Sequence, residues 1–414
     1  MLHEMPPKPL KWLYLALFIL LPWSFEINFG SWNLLVPAEP LLLLCGPGVL
    51  VAGWRQRRWA LPRGLAGLSV AWVAWLAVSA LASGMPLVSL KYWIVDAGHW
   101  CVFFLGLYWW PALWPRLIRV LALSMGGAVV YTLAHHSQYQ FRADQALLSP
   151  MPFFSDHTLY SAVLVLLLLL LQQAKGKQER SLALSLGGLY VLGLVLAASR
   201  AAWLSLLLAG AAGMAWHGRW SWKSWAAATA LVLCAGWLGQ ASLARRLAAD
   251  VSAQERLNRY ACARRMSTEH PWLGFGPGTF AFAYLPFQKT EEMTRISRLE
   301  PIARRGPDNY GRGGGAHSEY WQALVELGWP GLALWLGLGL SGLGLGWRQY
   351  RQSRDAGHLF RLLALLSFFL HALVNNFLHD ARVAALVWGM LALIAREACN
   401  KKEEKAVEPV STLT

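Results

Sequence analysis

Charge is scarce over most of this sequence. Lys, Arg, Asp and Glu make up 14% of its 414 residues, and runs of about twenty residues carry few charges or none. Such runs argue against an ordinary soluble core, because about twenty apolar residues form a helix long enough to cross the hydrocarbon of a bilayer. The rest of the composition agrees, since 56% of the residues are hydrophobic and 24 are tryptophan. The sequence therefore predicts an integral membrane protein.

Several ligand-forming patterns are missing as well. The five cysteines include no Cys-x-x-Cys pair, and no Cys/His spacing suits zinc. Four of them lie in or directly after predicted spans, and only Cys262 lies outside, so no outside disulfide framework is available. The polar segment 242–320 contains no Asp-x-Asp pair that could hold Mg²⁺. We therefore expect a site that uses neither a metal nor a cofactor.

The apolar runs predict an all-α integral membrane protein with about twelve transmembrane helices. The predicted spans are 12–29, 32–52, 65–82, 88–110, 113–134, 158–172, 181–198, 201–216, 224–241, 321–346, 359–376 and 383–398. The domains that follow are a membrane domain at 1–241, a partly helical loop at 242–320, a second membrane segment at 321–398 and a tail at 399–414.

Basic residues orient the predicted spans. Lys8 and Lys11 precede the first span and no cleavage pattern follows it, which predicts an uncleaved anchor with a cytoplasmic amino terminus. Most basic clusters then fall on the cytoplasmic side, so we expect both termini in the cytoplasm and the 242–320 loop on the outer face. This asymmetry explains much of the +15 net charge without nucleic acid, for which no soluble basic module exists. The short outside loops hold few basic residues: Lys91, Arg142, Arg200 and Arg382.

The outside loop 242–320 is rich in arginine. It contains about twelve Lys and Arg residues against eight Asp and Glu. Positive charge is normally disfavoured on this side of a membrane, so these arginines indicate an anion site rather than a topology signal. Guanidinium groups match phosphate oxygens, and two or three that converge could hold a pyrophosphate without a metal.

A helix is predicted from residue 243 to about 269, because its apolar residues recur at helical intervals. It should end at His270-Pro271, and the run Gly274–Gly278 then indicates a tight turn. One face of this helix carries Arg256, Tyr260 and Arg264, and Arg259 and Arg265 flank that face.

His317 lies where the next spanning helix should begin. The partial positive charge of a helix N-terminus and the nearby arginines should both lower its pKa, which keeps the imidazole neutral and able to accept a proton. A positioned base of this kind contributes a factor of about 10²–10⁴ to a reaction rate. The alternative is structural, with His317 only capping its helix.

Three motifs in residues 199–328 resemble those of the bacterial O-antigen ligase family. O-antigen polymerases and protein O-oligosaccharyltransferases, from the same superfamily, share parts of the pattern. The likeness in span layout extends over nearly the whole chain. The motifs are Ser199-Arg200-Ala-Ala at an outward span end, Gly274-Phe-Gly-Pro-Gly-Thr-Phe280, and His317-Ser-Glu-Tyr-Trp-Gln-Ala-Leu-Val-Glu-Leu-Gly328 leading into a span.

The resemblance implies a glycosyltransferase of lipopolysaccharide biosynthesis in the bacterial inner membrane, with its active site on the periplasmic face. Its donor would be a glycan linked to a polyisoprenyl (undecaprenyl) pyrophosphate, and its acceptor a sugar hydroxyl of lipid A-core. The reaction would need no metal and would invert the anomeric centre. Membrane lipids are the other expected partners, and no nucleic acid is expected.

The resemblance also implies roles for particular residues. Carried over by motif, Arg200 and Arg265 bind the pyrophosphate and stabilise its departure, and His317 activates the acceptor hydroxyl. Arg264, next to Arg265, is the alternative contact. A structural role is the competing interpretation for each arginine: Arg200 as a helix end whose side chain reaches the interface, Arg264 and Arg265 as a solvated helix face. Further predicted substrate contacts are Tyr260, Arg382 and Arg142.

Other ionisable residues on the same side are weaker candidates. Asp96 and His99 lie three residues apart inside the fourth predicted span, where pairing with each other is the simpler interpretation. Further candidates in the outside loops are Asp156, His157, His379 and Asp380.

Two alternative functions stay open. A polymerase or protein O-oligosaccharyltransferase would share the chemistry but use another acceptor, and the sixteen residues after the last span leave no room for an appended acceptor domain. A transporter or flippase for an anionic lipid-linked glycan would use the same arginines as a transit site. Transporters tend to place charge near the bilayer midplane, whereas most candidate charges here cluster at one face.

Overall fold

The computed structural model describes residues 5–29, 32–56, 64–142, 145–216, 251–293 and 315–407, and these residues are mostly helical with almost no sheet. The all-α fold class is therefore confirmed at this level. The helices are α1 (Lys8–Leu20), α2 (Ala38–Arg55), α3 (Leu65–Leu81), α4 (Pro86–His99), α5 (Trp114–Ser137), α6 (His157–Leu171), α7 (Lys177–Ala197), α8 (Arg200–Trp216), α9 (Val251–Glu269), α10 (Glu319–Ser353), α11 (Ala356–His371) and α12 (Ala381–Val407).

Several of these helices suit a membrane. Within the described residues, four stretches are long and apolar enough to cross one: Pro111–Ser137, Lys177–Ala197, Glu319–Ser353 and Ala381–Asn400. Three shorter apolar helices accompany them: Leu65–Leu81, His157–Leu171 and Ala356–His371. The protein is thus a membrane protein with several apolar helices. The count of twelve spans stays a prediction, and the predicted span at 224–241 lies outside the described residues.

The first two predicted spans need a correction. The sequence predicts helices over 12–29 and 32–52, but α1 ends at Leu20. Strands β1 (Phe25–Phe29) and β2 (Trp32–Val36) then form an antiparallel hairpin before α2. The physical reason is local: the β1 sequence alternates apolar and polar residues, a pattern that favours a strand and that counting apolar residues in a long window does not detect.

The fourth predicted span also differs from a regular helix. The sequence predicts a helix at 88–110, whereas α4 ends at His99. The chain continues through a π-helical segment, Trp100–Gly106, and a short turn, Leu107–Trp109. Such segments are rare and are often found at functional sites. Here the segment follows directly after Asp96 and His99, the ionisable pair predicted inside this span.

Ion pairs define one end of the helix bundle. The Lys175 Nζ lies 3.1 Å from Asp355 Oδ2, which joins the end of α6 to the start of α11. At the same end Arg361 Nη1 lies 2.7 Å from Glu397 Oε1. Because α6 and α11 therefore run antiparallel, His157 at the start of α6 lies at the opposite end of the bundle. The loop that follows α11 lies at the same second end.

The α9 helix ends at Glu269, directly before His270-Pro271 as predicted. The following turn contains Gly274, Gly276 and Gly278 with φ values of 67°, 105° and 73°. Its backbone bonds to α10, since Phe275 N–H donates to Val325 O at 3.0 Å. The turn is thus bound to the first turns of α10, close to a kink at Gly328, where φ is 69°.

Candidate functional site

A cavity of about 440 Å³ opens at the second end of the bundle. Its wall is made by the β1–β2 hairpin, α4, the start of α6, α9 and two segments at 315–322 and 375–380. The volume is in the range of roughly 300–1,000 Å³ that is typical of small-molecule sites. Most of its polar lining comes from segments far apart in the sequence.

Another cavity, of about 310 Å³, lies at the first end between α5, α6 and α7. Its walls are mainly Leu, Ile and Ala, and the charged residues at its mouth are already paired, Arg119 with Glu179 and Lys175 with Asp355. Among the described residues that line it, none belongs to the predicted site. The cavity at the second end is therefore the better candidate site.

His317 lies in the wall of this site, two residues before α10 begins. Its backbone is left-handed, with φ of 52°, a conformation that is uncommon for a residue other than glycine. Burial lowers the pKa of His317 most, the positive charges of Arg259 and Arg256 lower it as well, and the pKa is about 4. The imidazole is therefore neutral at pH 7. Burial has a larger effect on this pKa than the arginines that the sequence had suggested.

One face of α9 contacts both His317 and the loop that follows α11. The Arg256 Nε donates to Val374 O at 3.3 Å, and Arg256 lines the cavity. The Tyr260 hydroxyl lies 3.1 Å from His317 O and 3.2 Å from Leu373 O. This arrangement places Arg256 and Tyr260, which the sequence predicted on one face of the helix, at the site.

Arg265 lies on the other side of α9. Nine residues at about 100° each place it about 180° away from Arg256. Its Nε donates to Phe287 O at 2.8 Å, and its Nη1 lies 3.0 Å from Glu292 Oε1. The hydrogen bond with Glu292 raises the pKa of Arg265 and lowers the pKa of Glu292. Arg265 thus holds the 285–293 segment against α9, and its neighbour Arg264 is exposed.

Arg259 is buried inside the α9 contact. Its Nε lies 3.0 Å from Glu255 Oε1, and its guanidinium carbon lies 3.8 Å from the centre of the Tyr284 ring. Only 3% of the residue is exposed, so this cation acts on His317 through its charge rather than by contacting a ligand. The sequence had placed Arg259 only beside the polar face.

The other predicted cations, Arg200, Arg382 and Arg142, are not among the described residues that line the cavity. Arg200 begins α8 and is exposed at the second end of the bundle. Arg382 is buried; its Nε donates to Asp380 Oδ1 at 2.8 Å and its guanidinium lies 4.3 Å from the Phe154 ring. Arg142 is exposed in the loop after α5. Among the residues that the structure describes, the predicted His317 and Tyr260 contact each other, and the weaker candidates pair as His379 with Asp96 and Asp380 with Arg382.

Lys91 and His379 line the cavity. His379 is one of the weaker candidates from the sequence, as are Asp156, His157 and Asp380, which also line it, whereas Lys91 is predicted only as an outside cation. The ammonium of Lys91 lies 5.3 Å from the centre of the Tyr92 ring, and the Nδ1 of His379 lies 3.1 Å from Asp96 Oδ1. The sequence held partial signals, since Lys91 is an outside cation and His379 an outside histidine. Asn375 also lines the cavity. The predicted span 359–376 includes this polar residue, whereas α11 ends earlier, at His371. The polarity of Asn375 is a sequence signal for that earlier end.

A known protein family matches the part of the chain that contains His317 and α9. Residues 183–336 match the Wzy_C family model, whose description is O-antigen ligase. The matched stretch contains Arg200, α9, the glycine turn and His317, so the family resemblance is confirmed there. No curated protein is significantly similar to the sequence.

Proposed function

We propose, from the O-antigen ligase family domain at residues 183–336, that this protein is the ligase itself rather than another member of its superfamily. The family supports a membrane-bound, glycosyltransferase-like enzyme with a lipid-linked glycan donor and a glycan or lipid acceptor. The finer proposal is transfer from polyisoprenyl pyrophosphate to a sugar hydroxyl of lipid A-core. We place the reaction at the periplasmic face of the bacterial inner membrane.

The observation that carries this proposal is the position of His317. It lies in the wall of an open cavity, with a pKa held at about 4. A neutral imidazole in a cavity that also contains cations can take a proton from a hydroxyl group while an anion is bound nearby. A transit site for an anionic lipid has no need of such a base.

The proposed reaction is a direct displacement. A ring nitrogen of His317 accepts the proton of the acceptor hydroxyl, and that oxygen attacks the anomeric carbon of the donor sugar. The bond from the anomeric carbon to the pyrophosphate oxygen breaks, and the pyrophosphate leaves with the electron pair. Attack and departure on opposite sides of the carbon invert its configuration.

The negative charge of the bound donor should raise the pKa of His317. A pKa of about 4 makes His317 a weak proton acceptor in the free protein. A bound pyrophosphate brings negative charge into the cavity, and nearby negative charge favours the protonated imidazolium. The pKa of His317 should therefore rise toward neutrality when the donor binds, which is where a general base is most effective.

The arginines take different proposed roles. Arg256 already faces the cavity, so we assign it to the charged part of a bound lipid. Arg265 could contact the carrier only after leaving Glu292, and Arg200 lies at the same end of the bundle but outside the described wall. Their pyrophosphate contacts stay predictions, as do the substrate contacts of Arg264, Arg382 and Arg142.

The function can be tested with purified protein, an undecaprenyl-pyrophosphate-linked glycan and lipid A-core, with EDTA present throughout. Glycan-bearing lipid is followed on a gel for the parent, His317→Ala and Arg256→Gln. Matched controls are His270→Ala, which is exposed beyond α9, and Arg348→Gln, which is exposed on α10. We expect transfer by the parent and both controls, and a large loss in the two site variants.

Other outcomes identify the alternatives. Extension of the donor glycan on its own carrier, with no product on lipid A-core, would indicate a polymerase. Binding of the carrier without transfer to either acceptor would support a transporter.

A further inference from the structure

Two groups of side chains line the cavity, and they lie on different elements. One group comprises His317 and Arg256, which are connected through α9, since Arg256 lies on this helix and Tyr260, one turn further, bonds to His317 O. The other comprises Lys91 and His379, which meet at the ring of Tyr92 on α4: Lys91 lies 5.3 Å from the ring centre, and the His379 ring packs edge-on at 5.4 Å. The cations that act on His317 come from α9.

His379 is oriented for a ligand. Its Nδ1 lies 3.1 Å from Asp96 Oδ1, and the carboxylate is the more buried partner, with 12% of its side chain exposed against 28% for the histidine. Its Nε2 has no hydrogen-bond partner among the residues that the structure describes. Because the two nitrogens point away from each other across the ring, fixing Nδ1 on Asp96 leaves Nε2 available as a donor at the cavity.

The charge of His379 suits an anion. Burial alone would lower its pKa, but the carboxylate of Asp96, with smaller effects from Glu326 and Glu319, outweighs burial, and the pKa of His379 is raised to about 10. The ring therefore carries its proton at neutral pH. The titratable groups around it are Tyr92, Asp96 and His99 on α4, Glu319 and Glu326 on α10, and Asp380 in its own loop.

Inversion separates the base from the leaving group. The acceptor oxygen and the departing pyrophosphate must lie on opposite sides of the anomeric carbon, with the donor sugar between them. A base on the α9 side therefore needs its phosphate-binding cations on another wall. Arg256 lies on α9, which bonds to the His317 segment through Tyr260. Lys91 lies on α4, and the ring of His379, from the loop after α11, contacts Asp96 and Tyr92 of α4.

We propose that Lys91 and His379, with Asp96 as the positioning residue, bind the pyrophosphate of the carrier and stabilise it as it departs. The assignment rests on the proposed ligase function and divides the cavity between its two substrates. In the transfer step the acceptor proton goes to His317. The departing oxygen keeps the bonding electrons and accepts hydrogen bonds from His379 Nε2–H and the Lys91 ammonium, so no further proton transfer is needed. In this proposal Arg256 faces the acceptor and does not stabilise the departing pyrophosphate.

The test separates carrier binding from transfer. Undecaprenyl pyrophosphate without a glycan is titrated into the full-length protein in detergent, and lipid A-core is titrated separately. We expect Lys91→Gln and His379→Gln each to weaken carrier binding by about tenfold or more, since each removes a charge-assisted hydrogen bond. Lipid A-core binding should change by less than about twofold in both. His317→Ala should bind the carrier like the parent yet transfer nothing.

Two further variants exclude a merely structural role. His379→Lys restores a cation at this wall and should recover part of the carrier affinity that His379→Gln loses. Asp96→Asn should weaken carrier binding in the parent but add little in the His379→Gln background, because the two residues act as one unit. Thermal unfolding in detergent checks each variant, and only those that unfold within a few degrees of the parent are compared.

Failure of the proposed carrier subsite and failure of the proposed ligase function give different results. Carrier affinity unchanged in His379→Gln and Lys91→Gln, or lost lipid A-core affinity in their place, would overturn the subsite. A parent protein that binds the carrier through these residues but transfers no glycan would overturn the ligase function and leave the subsite standing.

Discussion

The hydroxyl of Tyr260 lies 3.1 Å from the backbone oxygen of His317, and 3.2 Å from that of Leu373. One side chain on α9 thereby holds two segments that line the cavity, the residue proposed as the base and the loop after α11. The Tyr260 ring also stacks on Trp321, with 6.3 Å between the ring centres. This relationship connects the position of His317 to the packing of α9.

Tyr260→Phe removes the hydroxyl and keeps the ring. We expect kcat to fall several-fold with a small change in carrier affinity, because the backbone at His317 loses one restraint while the Trp321 contact remains. The loss of a typical hydrogen bond costs about 0.5–1.5 kcal/mol of stability. Transfer kinetics and thermal unfolding measure the two effects. A variant that loses carrier affinity but keeps kcat would instead make Tyr260 a direct substrate contact.

The pH dependence of transfer should reflect the protonation state of the His317 imidazole. The base must be neutral, and in the free protein its pKa is about 4, so kcat/KM should stay level through neutral pH as far as this group is concerned. It should decrease only as the pH approaches that value. The decrease in kcat should begin at a higher pH, since bound pyrophosphate raises the pKa of the imidazole. Initial rates across a pH series give both profiles, and a decrease in kcat/KM centred near 6.5, the ordinary pKa of histidine, would contradict the burial of His317.

Glu292→Gln tests what Arg265 does. If Arg265 mainly holds the 285–293 segment, this change and Arg265→Gln should act alike, with faster hydrogen exchange in that segment and a modest loss of activity. Both side chains are partly exposed, so we expect the pair to contribute no more than about 1 kcal/mol to stability. If Arg265 instead binds the pyrophosphate, Glu292→Gln should keep carrier affinity and Arg265→Gln should abolish it. Hydrogen exchange and carrier titration distinguish the two roles.

Gly274→Ala should be strongly destabilising. A Cβ at this position would lie 2.2 Å from the backbone carbon of Glu326, and the φ of 67° is unfavourable for alanine. The matched control is Gly188→Ala in α7, where a Cβ meets nothing within 4 Å and alanine is the better helix former. Thermal unfolding should show a clear decrease for the first variant and no decrease for the second. Equal unfolding temperatures would mean that the turn is not packed on α10 as the structure shows.

Much of the local structure follows from short stretches of sequence. The end of α9 at Glu269 is encoded by the His270-Pro271 that follows, and most of the apolar helices lie where uncharged runs predict them. His317 could be placed at the start of a helix for the same reason. The hairpin before α2 is not evident from the sequence, because its alternation spans only a few residues inside a longer apolar run.

The sequence by itself determined the helical character, the membrane association and the family of residues 183–336, because these depend on composition, periodicity and contiguous motifs. Only the tertiary structure decided which cations face the cavity. Arg256 and Arg265 are alike in sequence context, and they differ because α9 presents opposite sides to α10 and to the 285–293 segment. Likewise, His379 and Asp96 are 283 residues apart and meet only because α4 packs beside the loop between α11 and α12. Contacts of that kind depend on how complete helices pack, and no local pattern encodes them.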